Sequence, residues 1–124
     1  RRSGGKLYVT EGATDAMALH SLRVRAIGRP AAIPSALVFG WLTAYLTRQA
    51  ADGVVILGDN DPPDQKGRRV GQDAACELAD RLAEVLPVGI PVSWALPREV
   101  YKDVREQVAA GAWDKGLQLR EVRR

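Results

Sequence analysis

The 124-residue chain reads as one α/β domain, a compact, mostly parallel sheet of about four strands with helices on both faces. Three observations predict this class. Short apolar runs alternate along the chain with amphipathic stretches of helical period. The strongest run, Val54 to Leu57, is uninterrupted by any polar residue, as suits a central parallel strand covered on both sides. Hydrophobic residues make up 46% and charged residues 27%, which fits a packed domain and excludes a disordered or fibrous chain.

Each element follows in order. Residues 6–10 are short, apolar and rich in strand formers, and predict the first strand. Ala16, Leu19 and His20 share helical spacing within 13–22, which predicts a helix directly after it. Residues 25–28 predict a short second strand leading into the punctuated loop "GRPAAIPS". Leu42, Tyr45, Leu46 and Gln49 mark a second helix. "VVILGDND" carries the third strand, and the loop "PPDQKGRR" follows. Ala74, Ala75, Leu78, Ala79, Leu82 and Val85 give 71–86 an amphipathic pattern. "IPVSWALP" is a further strand stopped by Pro97, and 102–110 is a short helix stopped by Gly111. From Trp113 onward the pattern is ambiguous.

Composition narrows the function classes. The single cysteine, Cys76, excludes an internal disulfide and a cysteine-built zinc site, and suits a reducing, cytoplasmic setting. No apolar stretch approaches a membrane span, and the first residues show no signal-peptide pattern. The chain opens Arg1-Arg2-Ser3-Gly4-Gly5 without a Met, so it is expected to be a single domain, core about 6–111, taken from a longer protein. Net charge is +3, with basic residues gathered at Arg1 and Arg2, at Lys66, Arg68 and Arg69, and at Arg120, Arg123 and Arg124. That balance permits nucleic-acid contact without demonstrating it.

Acids recur where the strands end. Glu11 follows the first strand, Asp59 and Asp61 the third, and Asp103 the "VSWAL" strand. In a parallel α/β sheet ligands bind beyond the carboxyl ends of the strands. Carboxylates crowded there raise one another's pKa unless cations neutralise them. Oxygen ligands without His or Cys favour Mg²⁺ or Mn²⁺ over zinc, which suits phosphoryl or nucleotidyl transfer or phosphodiester hydrolysis. Taken alone, "DNDPPD" also reads as a solvated turn, and Glu11 and Asp15 as acids favouring a helix N-terminus. Three strand ends each supplying an acid favour a site. Gly12 and Gly58 would let a phosphate approach the acids, and the helix opening near Gly71 beside Lys66, Arg68 and Arg69 would hold phosphate backbone. His20 reads as packed or half-exposed, the tryptophans as core or interface, and Cys76 as a small core residue.

Three motifs in order resemble the Toprim domain of bacterial (DnaG-type) and phage primases, topoisomerases and related nucleases. "VTEGATDAMAL" is similar to its E-G-x-x-D-x-x-A-L signature, "VILGDNDPPDQKG" to its D-x-D motif, and "YKDVRE" to its K-D-x-[ND]-[DE] element. The resemblance covers about residues 6–111 and is strongest to the primase-like branch. It implies a Rossmann-like fold, Mg²⁺ (or Mn²⁺) as cofactor, and RNA primer synthesis from nucleoside triphosphates on single-stranded DNA. A replicative helicase is implied as a further partner, and a membrane is not. By the same resemblance Glu11 is the general acid/base, Asp15 a supporting acid, and Asp59, Asp61 and Asp103 are metal ligands. Arg105 departs from the motif, and Glu106 is the residue expected to compensate, sharing a helix face with Asp103. Lys102 joins Lys66, Arg68 and Arg69 as phosphate-binding residues. The inserted "PPDQK" favours a plasmid, phage or mobile-element relative. A Toprim nuclease using the same acids, and a non-catalytic scaffold binding DNA or partners, are the alternatives; intact Glu11, Asp59 and Asp61 weigh against the scaffold.

Overall fold

The computed structural model describes residues 5–29, 34–50 and 52–123. Arg1, Arg2 and Arg124 of the basic ends, and residues 30–33 of the "GRPAAIPS" loop, lie outside the described residues. The elements are β1 (Leu7–Thr10), α1 (Ala13–Ser21), β2 (Ala26–Gly28), α2 (Ala36–Gln49), β3 (Val54–Leu57), α3 (Val70–Val85), β4 (Val92–Leu96), α4 (Val104–Ala109), a 3₁₀ turn at Trp113–Lys115 and β5 (Gln118–Glu121). The sheet order is β2-β1-β3-β4-β5. β1 to β4 run parallel, and β5 returns antiparallel along β4, with Trp94 opposite Arg120. The ambiguous tail thus supplies a fifth strand. Its burial is slight, Leu119 and Arg120 being exposed, so no apolar run announces it.

Two apolar layers flank the sheet. On one face α2 and α3 bring Leu42, Leu46, Leu78 and Leu82 onto Val54 and Ile56. On the other, α1 and α4 bring Ala16, Leu19 and Val104 onto Val55 and Leu57. Successive side chains of a strand point to opposite faces, so a strand covered on both sides must be apolar at every position. All four residues of β3 are buried for that reason.

Local signals set the helix ends. Ser35 caps α2 by accepting a hydrogen bond from the Val38 amide at 3.3 Å. Gly111, at φ +69°, closes α4: its amide reaches Val108 O at 2.9 Å and the Ala112 amide reaches Gln107 O at 3.1 Å. Gln107, fully buried, then ties this corner together. Its Oε1 accepts from the Arg98 amide at 2.8 Å, and its Nε2 donates to Ala112 O at 3.0 Å and Gly116 O at 2.9 Å. Every polar atom of that side chain is satisfied, which is what permits its burial.

Candidate active site

From β1 the chain steps to β2 on one side of the sheet, then crosses back to β3 on the other side of β1. The carboxyl ends of β1 and β3 therefore bound a topological switch point, the crevice where α/β sheets take ligands. Glu11 leaves β1 there and Asp59 leaves β3. Asp59 is pushed up to about 7, chiefly by burial, then by the negative charges of Glu11, Asp15 and Asp61, and least by a hydrogen bond to the Glu11 carboxyl. Acids crowded closely enough to raise Asp59 mark a place rich in negative charge.

Glycines bring the segments this close. A Cβ on Gly58 would meet Gly71 O at 2.7 Å and Ala75 Cβ at 3.1 Å, and one on Gly71 would meet Asp61 Oδ2 at 2.9 Å. The space beside Gly58 is thus filled by α3 rather than kept for phosphate, which corrects the expectation for that residue. The start of α3 lies against the Asp59–Asp61 segment, so a carboxylate already stands at this helix opening. Gly12, by contrast, has open space where a side chain would be.

Asn60, between the two aspartates, anchors the loop. Its Nδ2 lies within 2.9 Å of Pro97 O, Arg98 O and Tyr101 O, and its amide donates to Lys102 O at 2.7 Å. The middle residue of the motif thereby fastens the β3 exit to the segment after β4.

Asp15, buried on α1, accepts from the Arg105 amide at 3.2 Å and so joins α1 to α4. Its pKa is raised by burial first and by the Asp103 and Glu11 charges, against the lowering effect of Arg105. Asp103 is the N-cap of α4 and stands outside the helix, its Oδ1 accepting from the Glu106 amide at 2.8 Å. Glu106 is exposed and turns back to the Lys102 amide at 3.1 Å. Together they form a cap of the Asp-x-x-Glu kind. Arg105 also lies 4.0 Å from Asp103, a surface pair of little energetic weight.

The basic residues are exposed on the loop between β3 and α3. Asp64 organises that loop: its Oδ1 accepts from the amides of Lys66 and Arg68, both at 2.8 Å, and its Oδ2 pairs with Arg68 Nε at 3.3 Å. These hydrogen bonds hold the Asp64 carboxyl below its ordinary pKa. Arg69 NH1 donates to Asp61 O at 3.2 Å, which places one cation beside the aspartate pair. Lys102 is exposed, and its carbonyl accepts from the Asn60 amide.

One residue of the crevice has no counterpart among the sequence expectations. Arg29, only 3% exposed, directly follows β2 and donates through NH1 to Val9 O at 3.2 Å and through NH2 to Leu57 O at 3.3 Å. With Glu11, Gly12, Met17 and His20 it lines a cavity of about 550 Å³. Burial lowers its pKa, and the negative charges of Glu11 and Asp59 oppose that. The available signal was positional: a cation at the first step past a strand, level with the acids that leave β1 and β3.

His20 is exposed, with Nε2 2.7 Å from Ala26 O. Cys76 is half-buried beside Asp80 rather than in the core. Trp94 packs on the core and Trp113 meets Tyr8 edge-on at 5.5 Å, whereas Trp41 is 59% exposed and stacks on Tyr45. That exposure takes Trp41 out of the core and leaves the interface half of the expectation for it.

Among the described residues no three Asp, Glu, His or Cys side chains converge as a ready-made metal cage. The donor chemistry nevertheless fits Mg²⁺, which binds through one or two carboxylates and takes its other oxygens from water and phosphate. Among the described residues no helix is long and apolar enough to cross a membrane. No protein-family model matches the chain, and no curated protein matches it significantly.

Proposed function

We propose that this chain is the Toprim catalytic domain of a primase-like protein, performing Mg²⁺-dependent nucleotidyl transfer on single-stranded DNA. The observation that carries the reading is the meeting of Glu11 and Asp59 at the β1/β3 switch point, with Asp15 and Asp61 near enough to act on Asp59. An acid cluster of this kind is poised for a divalent cation, which would neutralise charge on a bound phosphate. Asp59 and Asp61 are the residues that would hold it. Glu11, at the exit of β1 beside Asp59, is the residue assigned here to exchange a proton with a reacting hydroxyl. Asp15 supports the cluster from α1. The exposed Lys66, Arg68 and Lys102 are available for nucleic-acid backbone, with Arg69 divided between phosphate and Asp61 O.

The test is primer synthesis by the full-length protein on a single-stranded template with ribonucleotides and Mg²⁺. Asp59→Asn with Asp61→Asn is expected to abolish both synthesis and the rise in Tm that millimolar Mg²⁺ produces by mass action. Nicking of DNA without primer synthesis would assign the same acids to hydrolysis. Full activity in the double variant would remove them from the site.

A further inference from the structure

We infer that Arg29 is the built-in counter-cation of the acid site, a positioning residue that clamps the carboxyl ends of β1 and β3 and sets the positive charge against which a divalent metal must bind. The metal half of this inference rests on the function proposed above.

The geometry is specific. The two carbonyls that Arg29 grips, Val9 O and Leu57 O, each lie two residues before an acid, Glu11 and Asp59 respectively. Alternate residues of an extended chain share a side, so one guanidinium reaches the roots of both acidic turns. The Arg29 amide also donates to Thr10 O at 2.9 Å, which fixes where its side chain starts. Gly28 holds that start close: a Cβ there would sit 3.1 Å from Gly12 O.

Backbone carbonyls alone are a poor reason to bury a guanidinium. An arginine takes up to five hydrogen bonds, and here Nε has no partner among the described residues. A buried charge left partly unsatisfied persists only where opposite charge compensates it. Glu11 and Asp59 supply that charge, and both act on Arg29 in the stabilising direction. The arrangement explains how acids this crowded remain folded together without metal. It also implies opposition to the metal, because a fixed positive charge at the same crevice repels a divalent cation.

Two measurements on the 124-residue chain separate this role from a purely structural tie. The first is Mn²⁺ affinity by calorimetry. Arg29→Met is expected to tighten Mn²⁺ by about three- to tenfold. Arg29→Lys keeps the charge without the fork and is expected to stay near the wild-type affinity. A tie that merely holds two strands would give weaker Mn²⁺ binding in both variants, and that result would overturn the inference.

The second is a double-mutant cycle in urea with chelator present, combining Arg29→Met with Asp59→Asn. The aspartate change is expected to rescue much of the stability lost on removing Arg29, giving a clear coupling. If Arg29→Met alone does not fold, folding of the double variant supports the inference, and its failure to fold overturns it. Additive effects would also overturn it. A wild-type chain that binds no Mn²⁺ would sink the metal reading alone, and the cycle would still decide the role of Arg29.

Discussion

Two acidic turns of this molecule use the same residue types to opposite ends. After β4, Asp103 and Glu106 each give one carboxylate oxygen to a backbone amide at the start of α4. After β1 and β3, Glu11 and Asp59 come together, with Asp15 and Asp61 adding further negative charge that raises Asp59. The first turn closes its own hydrogen bonding; the second leaves negative charge that only a cation can balance.

Exchanging the acids one at a time tests that contrast most strongly. Glu11→Gln in the full-length protein should lose about 10²- to 10⁴-fold in Mg²⁺-dependent turnover while folding normally, the range of a general acid/base. Glu106→Gln should stay within about threefold on the same scale, since a capping glutamine still reaches the Lys102 amide. Steady-state primer synthesis reads both, and equal losses would erase the distinction between the two turns.

The acid crevice is also held by backbone proximity, which the α4 turn does not need. Gly58→Ala drives a methyl into Gly71 O and should cost about 1–3 kcal/mol in urea unfolding, as overpacking does. At the other turn a smaller effect is expected. Asp103→Ala removes the cap of α4 and should cost about 1 kcal/mol, whereas Asp103→Asn keeps the accepting oxygen and should cost far less. Thermal melts separate the pair, and if Asp103→Asn instead abolished the Mg²⁺ response, Asp103 would join the metal ligands.

The smallest expected effect concerns the loop between them. Replacing Lys66, Arg68 and Arg69 by Ala should flatten the dependence of log affinity for single-stranded DNA on log salt by about two units. Arg68 and Arg69 already have protein partners in Asp64 and Asp61, so a full three-contact change is not expected. An unaltered slope would return the cluster to solvated surface.

Much of this was readable in the chain. Unbroken apolar runs and helical spacing place β1, β3, β4 and the long α3, because burial on both faces dictates those residues directly. The acids at the strand ends were legible as a pattern, and Glu11, Asp15, Asp59 and Asp61 do gather at one crevice. What escaped depends on contacts between distant segments. β5 is an edge strand with little buried surface, so its composition says nothing. Asn60 looks like an ordinary turn residue until the carbonyls of 97, 98 and 101 surround it. Arg29 sits in a loop-like "IGRP" stretch, and only the crossover from β2 to β3 shows that it lies between two acids. Asp103 and Glu106 carry a capping spacing as well as a motif spacing, and the sequence alone does not choose.

The most direct measurement is unfolding stability as a function of pH, with chelator and with Mg²⁺. In the folded chain Asp59 holds its proton up to about pH 7, against 3.8 for an ordinary aspartate. Between those values the native state binds more protons than the unfolded state, so stability falls as pH rises across that window. With chelator the chain should lose stability steadily from about pH 4 to about pH 7 and level off above. Mg²⁺ should flatten the slope by compensating the ionised pair, and Asp59→Asn should flatten it without metal. A chelated chain whose stability is constant or rises over this range, or an Asp59→Asn variant with the wild-type slope, would contradict an acid cluster at the switch point that carries more negative charge than Arg29 balances.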